Sequence, residues 1–238
     1  MTAAAAMWHS VEHSGFEADL PVWTALADRS TGCVAELGSG TGRVALRLAS
    51  LGHPTVAVDR DERLLTALRA NQSPGTRVRT VCSDVAEMET DSLIECDLVL
   101  APLLLVNTLA AEDRLGGFFA SLRGACRSGT RFAAAYVSDL GRSSQSFPSR
   151  GGFSPAGSGQ GHVRSEVDQI SFDGAVHTVR WNREASQRNR GASYERLREL
   201  SSLDLEEAAG PHFRLSGARH IPSSGGVVDM NVAVFDAV

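Results

Sequence analysis

The sequence predicts an α/β fold, a doubly wound and mostly parallel sheet that carries a small antiparallel β insertion. Three observations point there. The run Cys33-Val34-Ala35-Glu36-Leu37 is short, apolar and partly β-branched, and it stops at the first of three glycines spaced by two, Gly38, Gly40 and Gly42, as a buried parallel strand would. A second apolar run, Thr55-Val56-Ala57-Val58, ends in Asp59, 21 positions after Gly38. Asp173-Gly174 sits between two alternating stretches, 163–172 and 175–182, and is a strong hairpin signal.

Taken in order, residues 10–30 read as a helical cap, because the apolar positions 16, 20, 23 and 26–27 recur at helical spacing. From Arg43 the residues Val44, Leu46, Leu48 and Leu51 suit a short helix ended by Gly52 and Pro54. Asp61 can cap a further helix from about Glu62 to Asn71, and Arg77 to Cys82 reads as a third strand. Residues 97–101 form a fourth, stopped by Pro102; Glu112 to Cys126 reads as one amphipathic helix, and Thr130 to Val137 as a fifth strand. Residues 141–161 are rich in Ser and Gly and read as a flexible loop or lid. Periodicity does not settle whether 193–200 is strand or helix. Ser201-Ser202 can cap a helix over 203–209, and runs at 213–221 and 230–235 supply two last strands.

Chemistry concentrates in residues 33–59. Glycines between a strand and a helix bring main-chain N–H groups to a ligand, and a carboxylate at the end of the next strand can accept from ribose hydroxyls. The spacing is G-x-G-x-G rather than the dinucleotide G-x-G-x-x-G, with Glu36 two residues ahead of it. A carboxylate there repels a pyrophosphate and could help hold an α-amino group. The set Glu36-x-Gly38-x-Gly40-x-Gly42 plus Asp59 resembles motif I and the ribose acid of class I S-adenosylmethionine-dependent methyltransferases. That resemblance implies a seven-stranded Rossmann-like sheet with the last strand antiparallel, and S-adenosylmethionine as cofactor, leaving S-adenosylhomocysteine. By position it assigns cofactor contacts to Glu36, Gly38, Ser39, Gly40, Asp59, Arg60 and Ala101. It also assigns Asp84 to the adenine amino group and gives Val85 a backbone N–H to a ring nitrogen.

The family often places catalytic side chains just past the fourth strand, sometimes as a polar-Pro-Pro-aromatic motif. This sequence has Ala101-Pro102-Leu103-Leu104-Leu105-Val106-Asn107 instead, which departs from that motif and is closer to members with small-molecule acceptors and an apolar wall. Asn107, Tyr136 and Arg180 are the candidate substrate contacts, with Arg164, Trp181 and Tyr194 beside Arg180 in the insertion. No catalytic residue is assigned, since His9 and His13 have no visible partner in the sequence. The resemblance suggests a cap over 1–30, a cofactor core over 31–140, a substrate cover over 141–200 and a closing segment over 201–238.

Composition removes other classes. All 23 basic residues are Arg, which reads as codon bias of a GC-rich bacterial genome, and the formal net charge is −5. No basic stripe is present to neutralise a nucleic-acid backbone. No run of about 18 apolar residues occurs, and the first residues lack the features of a secretory signal, so a cytoplasmic monomer or homodimer is expected. The four cysteines and seven histidines show no metal-ligand spacing. The expected reaction is methyl transfer to an amino-acid-derived or aromatic metabolite, in a biosynthetic role. Two alternatives stay open, non-methylating use of the cofactor, such as cyclisation of its aminobutyrate arm, and non-catalytic nucleoside binding.

Overall fold

The computed structural model describes residues 2–13, 15–76, 78–140, 150–152, 163–185, 189–221 and 229–238. Two helices come first, α1 (Thr2–His13) and α2 (Leu20–Ala27). Then β1 (Cys33–Leu37), α3 (Arg43–Ser50), β2 (Thr55–Asp59), α4 (Glu62–Ala70), β3 (Val78–Cys82) and β4 (Cys96–Ala101) alternate as strand and helix, β3 to β4 excepted. They are followed by α5 (Leu105–Ala111), α6 (Leu115–Ala125) and β5 (Arg131–Tyr136). Four strands form a separate antiparallel sheet, β6 (Arg150–Gly152), β7 (Val163–Phe172), β8 (His177–Ala185) and β9 (Asn189–Leu197). The chain closes with α7 (Ser202–Ala209), β10 (Phe213–Ile221) and β11 (Met230–Ala237).

The main sheet has seven strands in the order β10-β11-β5-β4-β1-β2-β3. β1, β2, β3, β4 and β5 run parallel, and β11 is antiparallel to both its neighbours. Strand order reverses beside β1, between β2 and β4, which puts a crevice at the carboxyl ends of these strands. Both faces are covered. Phe118, Phe119, Phe132, Phe213 and Phe235 pack ring to ring between α6 and the sheet, while Trp23, Leu26, Val44 and Leu48 cover the other side.

Several elements differ from the expectations in bounds or number. The N-terminal cap is two helices rather than one, and α1 begins well before residue 10. The helix expected over 112–126 is α6, which starts only at Leu115, after Asp113 at φ +56°, and an unexpected helix, α5, precedes it. α5 escaped notice because it is buried nearly all round, including Val106, Leu109, Ala110 and Ala111, so its apolar run carries no helical stripe. The segment left open at 193–200 is strand as far as Leu197. Arg77 and most of the Ser/Gly-rich stretch over 141–161 lie outside the described residues.

A candidate cofactor cleft at the strand ends

The glycine loop between β1 and α3 takes a conformation its sequence requires. Gly38, Gly40 and Gly42 have φ of +64°, +54° and +89°, a region where a Cβ costs energy. Space is limiting too. A Cβ on Gly42 would meet the Leu68 side chain at 2.6 Å, and one on Gly40 the ring of His9 at 2.1 Å. The loop is tied to the end of β2 by Ser39 N–H donating to the Val58 carbonyl at 3.0 Å and Gly40 N–H donating to Asp59 Oδ2 at 2.7 Å. Asp59 Oδ1 accepts from Asp61 N–H at 2.9 Å. Each carboxylate oxygen has two lone pairs, so one per oxygen is left for a vicinal diol.

Asp84 follows β3. Its Oδ1 takes Ala86 N–H at 2.9 Å and the Arg114 guanidinium at 2.8 Å, which leaves Oδ2 without a hydrogen bond among the described residues. Partial burial works to raise this carboxyl, but the Arg114 hydrogen bond and the Ala86 N–H outweigh it and hold it below the usual carboxylate range. It is ionised at neutral pH and can accept an exocyclic amine. Gly38, Asp59, Arg60, Ser83, Asp84, Val85, Leu105, Thr108, Leu109, Glu112 and Arg114 line one cleft, with a cavity volume of about 120 Å³. Ser39, Gly40 and Ala101 stand beside it, in the loop and at the end of β4, and the buried Ser39 Oγ has no hydrogen-bond partner. The donors and acceptors suit a nucleoside: a carboxylate for the ribose, a second for the base, an apolar wall from Val85, Leu105 and Leu109, and an orphaned hydroxyl in the loop.

Glu36 occupies a different place. It is 3% exposed, and its Oε2 accepts Ala45 N–H at 2.7 Å in the first turn of α3. Burial pushes this carboxyl up to about 8, against the pull of Arg43 and of the Ala45 N–H. It therefore ties the end of β1 to the first turn of α3, and burial favours its protonated form.

None of the three substrate candidates lines that cleft. Asn107 is fully buried, its Nδ2 donating to the carbonyls of Val137 (2.9 Å) and Arg198 (2.7 Å) while Oδ1 accepts Val137 N–H at 3.1 Å. All its reach is spent joining α5 to β5 and β9. Tyr136 is 5% exposed and belongs to the sheet core. Arg180 lies on β8 and pairs with Asp168 at 2.7 Å. Beside it Trp181 is buried and Tyr194 exposed, and Arg164 pairs with Glu166.

Two groups were not singled out in the sequence. Asp19 is completely buried and takes two bonds from Arg43 (2.5 and 2.7 Å) and one from Trp23 Nε1 (2.7 Å). Arg43 also donates to the Phe16 carbonyl, so the N-terminal segment is locked to the residue that follows the last glycine of the loop. Glu12, 4% exposed, accepts from Arg183 at 2.6 and 2.7 Å and from Ser165 Oγ at 2.7 Å. The only hint in the sequence was the one carboxylate on this helix, since its partners lie 153 and 171 positions away.

A family model described as a methyltransferase domain matches residues 34–129, the stretch that builds the loop and the cleft. Residues 34–129 are a methyltransferase domain. The cofactor of such a domain is S-adenosylmethionine, and the cleft residues fit that nucleoside. Among solved structures, an S-adenosylmethionine-dependent methyltransferase from Clostridium acetobutylicum superposes with a TM-score of 0.72 at 15% identity, covering 99% of this chain and 98% of its own. The CcbJ methyltransferase from Streptomyces caelestis gives 0.68 at 20% identity, covering 94% and 98%. CalS10, an amino pentose methyltransferase from Micromonospora echinaspora solved with S-adenosylmethionine bound, gives 0.64 at 14% identity, covering 96% of each chain. At these identities the likeness establishes the shared fold. No curated protein matches this chain in sequence. Among the described residues no helix is long and apolar enough to cross a membrane, and no cluster of side chains suited to a metal occurs.

Proposed function

We infer that this chain transfers the methyl group of S-adenosylmethionine to a small-molecule acceptor, an amino-acid-derived or aromatic metabolite, in a biosynthetic role in the cytoplasm. The observation that carries the reading is the cleft itself, where Asp59 and Asp84 each keep acceptor capacity on a wall shared with Gly38 and Val85. S-adenosylmethionine supplies an electrophilic methyl on a good leaving group, so alignment and exclusion of water are what the protein has to contribute. Asp59 would take the ribose hydroxyls, Asp84 Oδ2 the adenine amino group and Val85 N–H a ring nitrogen. Glu36, tying the end of β1 to α3, would act on the aminobutyrate end through the loop between them.

The acceptor would enter from the side covered by α1 and the antiparallel sheet. α1 closes on the glycine loop through His9 and on β7 and β8 through Glu12. Arg180, by trading Asp168, can meet an acceptor carboxylate; Asn107 and Tyr136 are better explained as tether and core. The likeness to CalS10, an amino pentose methyltransferase, supports a metabolite-sized acceptor. Incubation with S-adenosylmethionine and a panel of amines, hydroxy-aromatics and amino acids, read by mass spectrometry, tests this. Acceptor-dependent S-adenosylhomocysteine supports it; 5′-methylthioadenosine, or binding with no turnover across the panel, would replace it.

A further inference from the structure

His9 projects from α1 onto the glycine loop. An ideal Cβ on Gly40 would lie 2.1 Å from its Cε1 and Nε2, so the imidazole rests directly on that residue, and its Nδ1 is 3.2 Å from Thr41 Oγ1. The opposite side of the same turn is held by Asp59, through Gly40 N–H. The turn is thus gripped between α1 and the carboxylate assigned to the ribose. α1 is fixed in that position by the buried Glu12 and its bonds to Arg183 and Ser165, with Trp8 lying over the Arg183 guanidinium. We propose that His9 is a positioning residue for the cofactor, seating the Gly40–Thr41 turn on Asp59 from the α1 side, and that it does so only as a neutral imidazole.

The charged groups around it explain the second half. Burial holds the His9 imidazole below its ordinary range; Asp59 and Glu12 favour its proton, Arg43 and Arg183 oppose it, and the His13 ring is 4.6 Å away. A proton gained in acid puts a cation beside Asp59, where it draws the carboxylate away from Gly40 N–H and from a ribose. Cofactor affinity must then fall as His9 protonates.

This rests on the cleft being the S-adenosylmethionine site, and the test separates the two ideas. S-adenosylhomocysteine is titrated calorimetrically into the full chain and into His9→Gln and His9→Ala, between about pH 5 and pH 7.5, where the ligand's own groups do not change charge. The expected result is at least about five-fold weaker binding by the natural chain at the acid end, and about three- to ten-fold weaker but pH-independent binding by His9→Gln. An unchanged slope in His9→Gln, or unchanged neutral-pH affinity in His9→Ala, overturns the role of His9 while leaving the site standing. No binding by the natural chain at any pH overturns both. Should neither variant fold, the His9 ring resonance of the natural chain decides: its pKa must drop when S-adenosylhomocysteine binds, and an unshifted pKa refutes the proposal.

Discussion

The cofactor side and the cover side of this molecule are built on different principles. The cofactor side is made of neighbours: β1, the glycine loop, α3 and β2 are consecutive, and its groups are main-chain N–H and two carboxylates at strand ends. The cover side is made of partners far apart in the chain, with α1 joined to β7 and β8 through Glu12 and α5 joined to β5 and β9 through Asn107. Backbone geometry specifies the first, and buried side-chain networks specify the second.

Breaking the joint between the two sides should have the largest effect. Asp19→Ala leaves the Arg43 guanidinium buried without its carboxylate and should cost about 3–5 kcal/mol in chemical denaturation, with loss of cofactor affinity as the loop loosens. A near-neutral variant would mean that the cap and the loop are independent.

On the cofactor side, Glu36 should make stability depend on pH. Its folded carboxyl is raised to about 8 from 4.5. Between these values the unfolded chain has released a proton that the folded chain still holds, so this group's contribution is full below 4.5 and lost as pH rises toward 8. Compared with Glu36→Gln, the natural chain should lose stability over that window, by a few kcal/mol or roughly that order. Parallel pH profiles would show that Glu36 is ionised in the fold.

On the cover side, Asn107→Ala removes three hydrogen bonds to buried main chain and should cost about 2–3 kcal/mol, with no selective change in acceptor KM. The reverse pattern, full stability with a raised acceptor KM, would return Asn107 to the substrate site.

The same contrast explains what could be read from the sequence. Residues 33–59 were legible because strand, glycine spacing and terminal acid are local signals whose geometry follows from φ, ψ and the parallel sheet. Asp84 was pointed to by the resemblance alone, and it stands two residues past β3 on the wall of the cleft. The substrate candidates were not legible, because a lone polar side chain after an apolar run looks alike whether it faces a ligand or ties together elements 30 and 91 positions away, as Asn107 does. α5 was hidden by burial on all sides, and Glu12 and Asp19 by partners that only the fold brings near.

The central claim is that Asp59 holds the ribose of S-adenosylmethionine in the cleft. Calorimetric titration of S-adenosylmethionine into the natural chain and into Asp59→Ala, with thermal denaturation to confirm that the variant is folded, tests it most directly. Loss of about 1–3 kcal/mol of binding free energy, the scale of charge-assisted hydrogen bonds removed, is the predicted result. Equal affinity in a folded Asp59→Ala protein would contradict it.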